Sequence, residues 1–173
     1  MTEALPPATI GPEAHYWKEF YRLKVHVNYL ELQLERTESI DRGFKIFLAV
    51  TSSASIGAWA IWKQYAWVWG VVIAASQVLN AVRQFLPYKE RLRCLAGLMT
   101  DLEELLLNVE SKWLDISYGE LTEIEIRKSL NSLRQFRQKA FNKHFPGKTL
   151  PDEPRLFQKA EMRADEYVKN FYS

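Results

Sequence analysis

"GFKIFLAVTSSASIGAWAIWKQYAWVWGVVIAASQVLNAVRQFLPYKER", residues 43–91, decides how the rest of the chain is read. Residues 46–62 are 17 positions without a charge and residues 64–82 are another 19, separated only by Lys63. An α-helix rises about 1.5 Å per residue, so about 20 residues cross the roughly 30 Å hydrocarbon layer of a bilayer. Segments 44–62 and 66–86 have that length. Neither is purely apolar: the first carries Thr51, Ser52, Ser53 and Ser55, the second Ser76, Gln77 and Asn80. These polar groups leave open a buried hairpin in a soluble helical protein. Hydroxyls, however, can bond back to their own helix and are tolerated in lipid.

Three patterns favour the membrane reading. Aromatic residues gather where bilayer interfaces would lie, Trp59, Trp62, Tyr65, Trp67 and Trp69 around the turn and Phe44, Phe47, Phe85 and Tyr88 at the other end. Amphipathic rings prefer that headgroup zone. Positive charge is lopsided, with Arg42, Lys45, Arg83, Lys89, Arg91 and Arg93 on one side and Lys63 alone at the turn, which predicts both termini on the cytoplasmic face of the membrane. Small residues recur every four positions, at Ala49, Ser53 and Gly57 and at Gly70 and Ala74, a spacing that lets helices approach closely in lipid. The expected fold is therefore all-α: a transmembrane helical hairpin, spans 44–62 and 66–86, with long flanking helices forming a cytoplasmic bundle.

The flanks support it. Residues 1–12 read as a loose lead-in, with prolines and an acid where an export signal needs a basic and then an apolar region. From 13 to 42, Tyr16, Phe20, Leu23, Val27, Leu30 and Leu34 step by fours and threes, a heptad seam. After Pro87 a second seam runs through Tyr88, Leu92, Leu95, Met99, Leu102, Leu106, Val109 and Trp113. "DISYG", residues 115–119, ends that helix, with Gly119 suited to a left-handed position. Thr122 and Glu125 form a capping-box pattern that opens a helix to about residue 144. A last helix from about residue 153 buries Phe157, Ala160, Ala164, Tyr167 or Val168, and Phe171. About six helices are expected, with residues 13–173 forming one helical domain.

Function classes narrow by composition. A net charge of +2 over 173 residues lacks the concentrated basic face of a nucleic-acid binder, so no DNA partner is expected. One cysteine, Cys94, excludes an intrachain disulfide. His15, His26 and His144 are scattered, without metal-ligand spacing, and Cys94 has no histidine near it in sequence. Glu103, Glu104, Glu120, Glu123 and Glu125 read as solvated helix faces rather than catalytic acids. No enzyme, cofactor or metal is expected. The basic helix "RKSLNSLRQFRQKAFNKHF", residues 127–145, offers Arg134 and Arg137 as a candidate site for an anionic nucleotide or lipid headgroup, against the plainer reading of a solvated basic face.

Gln77, Asn80 and Gln84 form a polar stripe on one face of the second span. An amide in hydrocarbon must face another helix or water, so the stripe either glues the hairpin or lines an oligomeric pore. Two spans cannot enclose an aqueous path alone. The seam Leu92, Leu95, Met99, Leu102, Leu106 and Val109 is therefore expected to join copies into a homo-oligomer.

"HYWKEFYRLKVHVNYLELQLERTESIDRGFKIFLAVTSSASIG", the tight hairpin, and "FLPYKERLRCLAGLMTDLEELL" together resemble the SLATT family, two-transmembrane effector domains of bacterial conflict systems. The likeness covers about residues 13–172 and rests on architecture. It implies an antiviral effector of the bacterial inner membrane that perturbs the bilayer as a pore. Its partners would be the lipid bilayer, further copies of itself, and a nucleotide second messenger or a sensor protein encoded alongside. A membrane-anchored scaffold and a soluble helical binding module are the competing functions.

Overall fold

The computed structural model describes residues 11–54, 66–83, 88–147, 150 and 152–172. Five α-helices occupy them: α1 Pro12–Ala54, α2 Ala66–Arg83, α3 Tyr88–Ser117, α4 Glu123–His144 and α5 Pro154–Tyr172. The all-α expectation holds, with one difference. The first flanking helix and the start of the expected first span are a single 43-residue helix, α1, with no break at Gly43. One interior glycine costs about 1 kcal/mol against alanine, too little to end a helix that has no proline between residues 13 and 54.

The turn chemistry works as the sequence implies. Gly119 adopts φ 73°, and the Glu120 N–H donates to the Asp115 carbonyl while that of Gly119 donates to Ile116, both at 3.0 Å. That pair of bonds is a left-handed helix stop. At the start of α4 the Thr122 N–H donates to the Glu125 carboxylate at 2.8 Å, and the Thr122 hydroxyl accepts from the Glu125 N–H at 3.4 Å, completing the capping box.

The chain divides into two compact units: one holds the chain up to Gln33 and again from Cys94, the other Leu34–Arg93. In the first unit α1 is buried on two opposite faces. Tyr16, Phe20, Leu23, Val27 and Leu30 form the expected seam. Val25, Tyr29 and Leu32, about half a turn away, meet Ala160 and Ala164 of α5. The two alanines let α5 lie close against α1, and Phe157 against Tyr29 and Tyr172 against Trp17 set the pair antiparallel. Phe171, expected inside, is 70% exposed, because Tyr172 (two turns beyond Ala164) takes the inward place. On the other side, the Tyr16 hydroxyl donates to the Val109 carbonyl at 3.3 Å and its ring stacks on Trp113, so the start of α1 packs on the last turns of α3.

In the second unit, large apolar side chains face outward. Ile46, Phe47 and Val50 on α1 and Trp67, Val71, Ile73 and Val78 on α2 are all exposed, Trp67 by 72%. The small residues Ala49, Gly70 and Ala74 are exposed as well, and a side chain at Gly70 would meet open space. Among the described residues no helix is long and apolar enough to cross a membrane. Positions 55–62 of the first expected span and 84–86 of the second lie outside the described residues.

Candidate functional site

The most concentrated polar arrangement in the first unit joins α1 to α4. Glu19, Arg22 and His26 stand three and then four residues apart, on one face of α1. Arg134 and Arg137 stand three apart on α4, beside the buried row Ile126, Leu130, Leu133 and Ala140 that seats the helix. Glu19 is buried, 5% exposed, within the apolar seam. Arg134 donates from Nε at 3.1 Å and Nη2 at 2.9 Å to Glu19 Oε1, and Arg137 Nη1 donates to Oε2 at 3.1 Å. Arg22 adds a third guanidinium 3.8 Å from Oε1.

Electrostatics follow from that geometry. Burial alone pushes the Glu19 carboxyl up, but the Arg134 hydrogen bond and the charges of Arg137, Arg134 and Arg22 outweigh it and hold the group below the usual carboxylate value. His26 is pushed down, chiefly by burial and then by Arg137, so its ring stays neutral. Its Nδ1 is buried without a hydrogen-bond partner among the described residues.

Two further clusters close the same unit. Asp101 of α3 accepts from Lys143 Nζ and bonds His144 Nε2, each at 2.9 Å, at the end of α4. Lys143 first and then His144 hold the Asp101 carboxyl below its ordinary value. Gly97 makes room for this: a Cβ there would lie 2.6 Å from His144 Cε1. Glu110 accepts from the hydroxyls of both Tyr167 and Tyr172, which holds the end of α5 to α3.

The described residues among those singled out in the sequence can be placed. Arg134 and Arg137 are brought together, on Glu19. Of the expected oligomer seam, Leu95, Leu102, Leu106 and Val109 are buried inside the single chain, while Leu92 and Met99 are half-buried. These four side chains are thus covered within the single chain, where the sequence reading looked to a second copy for their cover. Gln77 is exposed on α2; Asn80 lies on the same helix, and Gln84 falls outside the described residues. Cys94 is a free thiol, half-buried. Glu103, Glu104 and Glu120 are exposed, Glu123 pairs with Arg127 at 3.5 Å and Glu125 caps α4. His15 is exposed, and no group of metal-ligating side chains occurs among the described residues.

Sequence reasoning missed Glu19 and Arg22. The signal was present: an acid at position 19, between Tyr16 and Leu23 of an apolar seam, must find a cation from another helix. Compared with family models, characterised proteins and solved structures, this chain matches none.

Proposed function

We propose that the protein is a membrane effector of the two-span kind, in which segments 44–62 and 66–86 enter the bacterial inner membrane and both termini stay cytoplasmic. One observation carries the reading: the row of outward apolar side chains Ile46, Phe47, Val50, Trp67, Val71, Ile73 and Val78. Moving a large apolar side chain out of water gains about 1.5–3 kcal/mol when complete. For seven partly exposed side chains that is on the order of 10 kcal/mol, as much as a domain's whole stability. Lipid is the cover that also fits the charge-free stretches and the basic residues concentrated on one side, with Lys63 alone at the turn. In this reading the protein acts without catalysis. Copies gather so that Gln77, Asn80 and Gln84 face a shared polar path, and the bilayer is perturbed on an infection cue.

Fractionation tests the membrane step. The full chain is expected in the membrane pellet, resisting high salt and alkaline carbonate and released by detergent. Recovery in the soluble fraction without detergent would replace this reading with a soluble binding module. Inducible expression with a membrane-potential dye then tests the effector step. Depolarisation that disappears when Gln77, Asn80 and Gln84 all become leucine supports a pore, whereas membrane residence without depolarisation under any trigger, phage infection included, identifies a scaffold.

A further inference from the structure

The cluster on Glu19 carries more positive charge than one carboxylate needs. Three guanidiniums surround it and the neighbouring His26 is neutral, so the local formal charge is two positive units in excess. A carboxylate held by the Arg134 fork and by Arg137 is already satisfied; Arg22 adds no hydrogen bond, only a charge 3.8 Å away. Like charges repel one another, and beyond the single negative unit of Glu19 the third arginine has no anion of its own among the described residues. Nor are the arginines sealed in. The side chains of Arg22 and Arg134 are 55% and 49% exposed, and that of Arg137 is 27% exposed. Donors remain free among the described residues as well: Nη1 of Arg134, Nε and Nη2 of Arg137, and the whole guanidinium of Arg22.

We propose that Arg22, Arg134 and Arg137, arranged by Glu19, form a binding site for a phosphate monoester. The charge selects the ligand. A monoester carries about −1.5 to −2 at neutral pH, matching the excess, whereas a carboxylate or a phosphodiester carries only one unit. The planar fork of arginine also suits phosphate oxygens. Glu19 is then a resident anion that aligns the three side chains before the ligand arrives, reducing the ordering cost of binding. The site lies within the first unit and does not depend on the membrane reading.

Isothermal titration of the full chain in detergent tests the site with three probes. These are inorganic phosphate, a nucleoside 5′-monophosphate, and mixed micelles of the same detergent containing phosphatidate, with phosphatidylglycerol micelles as the phosphodiester control. Saturable binding of at least one monoester probe is expected, weakened roughly tenfold by Arg22→Gln, which loses one charge-assisted contact. Arg22 is the choice because its side chain makes no hydrogen bond among the described residues, and an unchanged melting temperature would confirm that the variant is intact. Binding by phosphate and the nucleotide assigns a free ligand; binding by phosphatidate alone assigns a lipid headgroup. For the lipid micelles only the difference between wild type and Arg22→Gln counts, because contact of the apolar segment with the micelle would be common to both. The proposal is overturned if no probe saturates below about 10 mM, if phosphatidylglycerol competes as well as phosphatidate, or if Arg22→Gln binds as the wild type does.

Discussion

A single buried acid organises one corner of this molecule. Glu19 costs stability on its own, and the hydrogen bonds of Arg134 and Arg137 reverse that cost. Losing Arg134 leaves Glu19 buried with Arg137, so the cost stays below the about 3–5 kcal/mol typical of breaking a fully buried pair. The pH dependence has a definite sign. Glu19 and Asp101 have folded-state values below their ordinary 4.5 and 3.8, so the stability they contribute is present above those values and is lost on acidification through the lower folded ones. His26 is lowered from 6.5, so the unfolded chain takes up its proton first, and stability begins to fall below about that pH. Urea denaturation from pH 8 to pH 3 should show both limbs. His26→Gln should flatten the upper limb and Glu19→Gln should shrink the lower one. A stability curve that rises on acidification would contradict both assignments.

At the scale of elements, the junction of α3 and α4 sets two effects of known size against each other. Replacing a helical glycine by alanine gains about 1 kcal/mol. At Gly97, however, the new Cβ would meet His144 Cε1 at 2.6 Å and Nδ1 at 2.8 Å, so the ring must move off Asp101. Overpacking of this kind costs about 1–3 kcal/mol, so Gly97→Ala alone should be neutral to destabilising. In a His144→Ala background the obstacle is gone, and the same substitution should stabilise by about 1 kcal/mol. Thermal unfolding of the two single variants and the double variant decides it, and equal effects of Gly97→Ala in both backgrounds would remove His144 as the reason for the glycine. The elements themselves were legible: the heptad steps, the capping box at Thr122 and the stop at Gly119 all lie in local sequence. The Gly43 boundary was not, because a lone glycine marks a boundary only when neighbouring residues also favour leaving the helix.

For the whole molecule, the first unit is assembled from two stretches of chain with residues 34–93 between them. Tyr16 on Val109 ties the two stretches together, and the side chains that each buries belong to this unit's own core. Replacing residues 34–93 by a short glycine–serine linker should therefore leave the buried set around Phe20, Leu30, Leu98 and Leu102 intact. The shortened protein should be monomeric, helical by circular dichroism, cooperatively melting, and recovered without detergent. Failure to melt cooperatively would show that the first unit needs the second in order to fold.

Composition and periodicity were enough to determine an all-helical chain, most helix ends and the apolar seams, because each depends on residues within a turn or two of one another. Which surface covers each seam was decided only by tertiary structure. Sequence spacing shows that Leu95, Leu102, Leu106 and Val109 must be buried, but a heptad is satisfied equally by a second copy or by α1, α4 and α5 of the same chain. The same holds for Arg134 and Arg137: their charge is readable at positions 134 and 137, while the carboxylate they hold lies more than a hundred residues away, on a helix that only folding brings beside them.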